Sequence, residues 1–138
     1  MISFEQYFGF KLPLAPVEHR ENAIDLLLKV NALLEYAASD PTCGWNWPVD
    51  PDTGCCISGT KGGGGNGGYR LENSKTGTAH SKHKQGRAVD VYDPGNRLDK
   101  YLTDEILERF QLWRERPEMT EKWCHLQSII TLTGKRTS

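Results

Sequence analysis

The chain has 138 residues, with 17 Lys plus Arg against 18 Asp plus Glu and a formal charge of -1. That length favours one domain, here taken as residues 1–138, and the balanced charge argues against a nucleic-acid binder working through a basic surface. A hydrophobic share of 37% is low but globular, and no apolar run approaches the roughly 18 residues of a membrane span. The start, Met1 to Pro16, lacks a basic stretch followed by an apolar one, so it does not read as a secretory signal. The expectation is a protein made in the cytoplasm.

In chain order, residues 16–38 predict a first long helix. Pro16 suits its first turn. Ile24, Leu27, Leu28 and Leu34 lie on one face at helical spacing, widened by Leu26, Val30, Leu33 and Ala37. Ser39-Asp40-Pro41 ends it. Residues 40–68 form a long Gly/Pro-rich region with Pro41, Pro48, Pro51 and a glycine run from 62 to 65, expected to pack loosely. Trp45 and Trp47 are the exception, as anchors of the loop or as the lining of a groove. Ile57-Ser58-Gly59 and Gly68-Tyr69-Arg70 resemble short strand segments. The glycine run does not end in Gly-Lys-Ser/Thr, which excludes a Walker phosphate loop.

Ala88 to Tyr92 alternates as a strand and ends at the turn Asp93-Pro94-Gly95. Thr103 is a cap for a helix over about 104–115, with Leu102, Ile106, Phe110 and Trp113 as its buried stripe and Pro117 after its end. Trp123 to Ile130 predicts a last strand, and residues 134–138 a loose tail. Residues 69–130 thus form the core around a candidate site. Cys43, Cys55, Cys56 and Cys124 fit no Cys-x-x-Cys pair, so free thiols are expected, with Cys43 pairing to Cys55 or Cys56 as the alternative in an oxidising compartment.

The four histidines are His19, His80, His83 and His125. His19, in the first helix, has no evident partner. His83 precedes the turn at Gly86, and Asp90 lies in the strand after it, so a hairpin-like turn can bring the two side chains together. Ala88, Asp90 and Tyr92 share one strand face. In the last strand Trp123, His125 and Gln127 share a face, while Cys124 and Leu126 point the other way. His125 can therefore complete a His-Asp-His set. Three protein ligands with a position left for water is the pattern of a catalytic zinc. The plainer alternative is that these are ordinary surface groups.

Ser81-x-His83-x-x-Gly86-x-Ala88-x-Asp90 resembles, residue for residue, the S-x-H-x-x-G-x-A-x-D signature of the zinc D-alanyl-D-alanine carboxypeptidase family. That family includes phage L-alanyl-D-glutamate endolysins and shares its fold with the hedgehog signalling domain. Trp123-Cys124-His125 is similar to its W-x-H segment, and Gly68-Tyr69-Arg70 to its S-G-Y-R segment. The likeness spans about residues 57–130. It implies an α+β fold, a small antiparallel sheet carrying a zinc site packed against two or three helices. It implies zinc on His83, Asp90 and His125, with Arg70 on a substrate carboxylate or oxyanion and Ser81 bracing the ligands. The implied activity is hydrolysis of peptidoglycan stem peptides by a monomeric phage or prophage lysis enzyme. It would act at the cell wall after release or be carried on a virion.

The pattern departs from the family at one point. The family places its Asp or Glu general base three residues before the last His, and Lys122 stands there. Glu121 is one residue further away, and on a continued strand it would share a face with His125. Glu118 lies beyond it. Glu121 is taken as the base, a solvated carboxylate being the alternative. Lys122 also motivates a second expectation, a non-catalytic zinc-containing peptide-binding or virion structural module on the same fold.

Overall fold

The computed structural model describes residues 1–59, 67–71, 81–116, 118 and 120–138. The glycine run 62–65, His80 and Pro117 lie outside the described residues. The chain is α+β, with helices packed around a three-stranded antiparallel sheet.

A short helix α1 (Phe4–Phe8) opens with a capping box. The Ser3 hydroxyl accepts from the Gln6 N–H, and the Gln6 side chain accepts from the Ser3 N–H. A 3₁₀ segment (Gly9–Leu14) leads to the long helix α2 (Val17–Ser39), with Pro16 just outside its first turn. The buried face of α2 is Ala23, Leu26, Leu27, Val30, Leu33, Leu34 and Ala37. Ile24 and Leu28, expected on that face, are 53% and 70% exposed. The Leu26/Val30/Leu33/Ala37 row is the centre of the stripe, and Ile24 and Leu28 sit round the helix from it.

The region after α2 packs far more tightly than its composition predicts. Cys43, Trp45, Cys55, Cys56 and Ile57 belong to the same buried cluster as Ile2, Tyr7, Phe8 and the α2 face. Trp45 is the anchor, its indole N–H donating to the Tyr92 carbonyl at 2.9 Å, with Trp47 tilted against it. Residues 57–59 form no strand of their own. Ile57 bridges Val91, and the Ser58 N–H donates to the Asp90 carbonyl. Residues 68–70 are irregular as well, held by backbone bonds from Tyr69 to Tyr7 and from Arg70 to His83. All four cysteines are buried free thiols.

A 3₁₀ turn (Lys82–Gln85) precedes strand β1 (Ala88–Tyr92). Asp93 then accepts from the N–H groups of Leu98 and Asp99 at the start of helix α3 (Arg97–Tyr101). Helix α4 (Asp104–Arg109) is capped by Thr103 as expected, but it stops well short of 115. Gln111 takes a left-handed φ of 57°, and Trp113–Arg114 form strand β2 instead. Leu107 and Leu112, fully buried, carry the packing assigned to Phe110 and Trp113, which are partly covered.

Strand β3 (Trp123–Gln127) is the centre of the sheet, between β1 and β2. Its register sets Asp90 opposite His125, Trp113 opposite Gln127 and Arg114 opposite Leu126. Cys124 and Leu126 enter the core with Val89 and Val91. The tail is not loose. Thr137 bridges Arg114, the Arg114 N–H donates to Arg136, and the Arg136 guanidinium stacks 3.9 Å from the Trp113 ring centroid. No helix among the described residues is long and apolar enough to cross a membrane.

Candidate metal centre

The face of the sheet turned away from the core carries Asp90 from β1 and His125 from β3, paired across the strands. His83 comes from the 3₁₀ turn before β1. Two glycines let these pieces meet. At Gly86, with φ of +72°, an added Cβ would overlap the His19 carbonyl of α2. The 3₁₀ turn can therefore lie directly on the helix backbone. At Gly68 an added Cβ would overlap the Tyr7 carbonyl, so the 67–71 segment is pressed between α1 and His83.

His83, Asp90 and His125 are all buried, and a ligand atom of each lies within 4.8 Å of the others. Asp90 Oδ1 is the focus, 2.9 Å from His125 Nδ1 and 3.3 Å from His83 Nε2. The Arg70 guanidinium stands 3.6 Å from Asp90 Oδ2. Burial opposes ionisation of Asp90, but the charge of His83 and hydrogen bonds from His125 and His83 outweigh it. They hold the carboxyl well below the usual carboxylate range. Burial likewise opposes protonation of His125, yet the hydrogen bond and charge of Asp90, then the charge of Glu115, push it up to about 9.

This donor set fits a metal ion. The Gly68 carbonyl lies 2.9 Å from His83 Nδ1 and can only accept, so Nδ1 carries a proton and Nε2, which faces Asp90, is the nitrogen a metal would take in place of its proton. Two imidazoles and an ionised carboxylate thus converge in a buried recess that a cation would satisfy. The recess forms the base of a cavity of about 510 Å³, also walled by Ser81, Lys82, Glu115 and Ile130 to Leu132. A second cavity, of about 560 Å³, adjoins it through Arg70, Asp90 and Trp123, and runs toward Asp50, Asp52, Tyr92 and Glu121.

The other predicted residues fall unevenly around this centre. Arg70 lines both cavities. Ser81 opens the 3₁₀ turn and lines the first cavity, without its hydroxyl capping the turn. Glu121 borders the second cavity and is exposed. The alternation expected to align it with His125 does not reach it, because Lys122 has a left-handed φ of 70° and β3 begins at Trp123. Glu118 is exposed, 3.8 Å from Arg116. His19, expected to lack a partner, lies 2.8 Å from the Tyr69 hydroxyl and supports the segment bearing Arg70.

Two residues escaped the sequence reading. Glu115 directly follows β2 and, by continuation of the Arg114–Leu126 register, falls beside His125. It lines the first cavity. Gln127 lies 2.8 Å from His125 Nε2. The period-two alternation of β3 already put Gln127 on the His125 face. Glu115 was hidden inside a segment read as helix. Compared with family models, curated proteins and solved structures, the chain matches none.

Proposed function

We propose that this chain is a zinc metallopeptidase that hydrolyses amide bonds in peptidoglycan stem peptides. On this reading it is a lysis enzyme of the D-alanyl-D-alanine carboxypeptidase and L-alanyl-D-glutamate endolysin kind, with their hedgehog-like fold. The observation that carries the reading is the buried His83, Asp90 and His125 triad lining an open cavity, two of its members on the Ser81–Asp90 signature and the third on the Trp123-Cys124-His125 segment. Zinc bound there would acidify a water and polarise a scissile carbonyl.

The chain's own residues divide the remaining work. Arg70, at the junction of the two cavities, pairs with a peptide carboxylate or steadies the developing oxyanion through its parallel N–H donors. Glu115 shares the cavity of His125, so it takes the proton from the attacking water and returns it to the leaving amine. Glu121, in the adjoining cavity, is the rival for that role. Trp123 walls both cavities and holds the peptide against the sheet.

A second reading, a non-catalytic zinc-containing peptide-binding or virion structural module, is favoured by one observation. Lys122 occupies the place of the family's base, with a left-handed φ of 70° immediately before the strand begins at Trp123. One experiment separates the two. Zinc content and release of muropeptide fragments are measured for the purified chain and for His125→Ala, Glu115→Gln and Glu121→Gln. Cleavage lost with zinc in His125→Ala supports the peptidase. Zinc retained by a wild type that cleaves no wall peptide supports the binding module. Wild type without zinc sinks both.

A further inference from the structure

Gln127 lies on β3 two residues beyond His125, on the same face, and is 7% exposed. Its amide nitrogen donates to the Ile129 carbonyl at 2.8 Å and, more weakly, to the Ile130 carbonyl at 3.4 Å. A carbonyl can only accept, so these two groups fix the orientation of the amide. Oε1 then faces His125 Nε2 at 2.8 Å. Since that oxygen also only accepts, Nε2 must carry a proton. The nitrogen left to face Asp90 is Nδ1. His83 is held the opposite way round, with Nδ1 on the Gly68 carbonyl and Nε2 inward.

Resting on the metal reading above, we propose that Gln127 is a positioning residue that makes Nδ1 of His125 its metal-binding nitrogen. The backbone turn at 129–130 holds the amide, the amide holds the imidazole tautomer, and the imidazole presents one defined lone pair. The arrangement also ties the site to the cavity rim. Ile130, whose carbonyl takes part, lines the cavity with Thr131 and Leu132. A partner that fixes a ligating histidine is commonly worth 10–100-fold in metal affinity.

The test uses the full chain, ¹⁵N-labelled at histidine and titrated with Zn²⁺. Long-range ¹H–¹⁵N spectra report which ring nitrogen of each histidine carries metal and which carries hydrogen. Expected for wild type is metal on Nδ1 of His125 and on Nε2 of His83. Gln127→Leu, which offers no acceptor, loses about 10–100-fold in zinc affinity and shows a second His125 tautomer. Gln127→Glu keeps an acceptor oxygen and retains the Nε2–H form. Circular dichroism and thermal unfolding confirm that each variant is folded. If Gln127→Leu does not fold, the wild-type and Gln127→Glu spectra decide. Wild-type His125 bound through Nε2, or Gln127→Leu with wild-type tautomer and affinity, overturns the inference while leaving the metal site intact. Absence of zinc binding in wild type overturns the metal reading and this inference with it.

Discussion

Replacing Gly86 with alanine tests how the His83 turn is seated on the long helix. Two costs add. The residue sits at φ of +72°, where a side chain is disfavoured by about 1–2 kcal/mol. The new methyl also meets the His19 carbonyl, a backbone atom inside α2 that cannot swing aside. Relief requires the 3₁₀ turn to lift from the helix, which by analogy with overpacked cores costs a further 1–3 kcal/mol or so. The expected loss is about 2–5 kcal/mol, a large share of the roughly 5–15 kcal/mol that holds a domain together. Gly54→Ala is the matched control. Gly54 has almost the same φ, +71°, but nothing lies within 4 Å of its added methyl. It should lose about 1–2 kcal/mol and keep its zinc affinity. Urea unfolding and a zinc titration of both variants give the two numbers. Equal losses for Gly86→Ala and Gly54→Ala, or unchanged zinc affinity in Gly86→Ala, would refute the close-approach argument.

Further outcomes follow from the same geometry. Zinc at about 100 times its dissociation constant should stabilise wild type by roughly 2.7 kcal/mol in thermal unfolding and His125→Ala hardly at all, a chelator reversing the gain. Glu115→Gln should lower cleavage of wall peptides about 10²–10⁴-fold without loss of zinc, with Glu121→Gln much closer to wild type; the reverse order would return the proton-handling role to Glu121. Asp99 offers a pH test away from the metal centre. Burial, only partly offset by Cys124, Arg114 and Thr120, pushes its carboxyl up to about 6 from the ordinary 3.8. Between those values the folded state binds more protons than the unfolded one, so this group makes stability fall as pH rises. Asp99→Asn should flatten that decline in melting curves across the interval, and parallel curves would count against the assignment.

How far the site could be read in advance depended on local pattern. His83, Asp90 and His125 sit on short regular pieces, a turn and two strands whose alternation assigns each side chain a face, and those faces meet. Asp90 opposite His125 needed only antiparallel pairing. Glu115 could not be found that way. Thr103 and the apolar residues after it have helical spacing, and the left-handed backbone at Gln111 that turns the chain into β2 leaves no mark in that spacing. Ile24 and Leu28 illustrate a different limit. An apolar residue on a helix predicts burial only where another element exists to cover it, and their side of α2 faces solvent. The 40–59 segment failed in the opposite sense. Its prolines and glycines were taken for looseness, but Trp45, Ile57 and the buried cysteines supply enough apolar surface to fix it to the core.

The segment bearing Arg70 has a consequence for how the protein is handled. Tyr69 donates to the Tyr7 backbone, the Tyr7 hydroxyl donates to the Ala88 carbonyl at the start of β1, and Lys11 donates to the Tyr69 carbonyl. The first dozen residues are therefore a clamp over the chain that presents Arg70 and the Gly68 carbonyl. An amino-terminal fusion that pries up α1 would reach the metal centre through two hydrogen bonds, while a carboxy-terminal one would first disturb the strand pairing at Arg114. Affinity handles placed at opposite ends are thus expected to leave different fingerprints, metal affinity in the first case and sheet stability in the second.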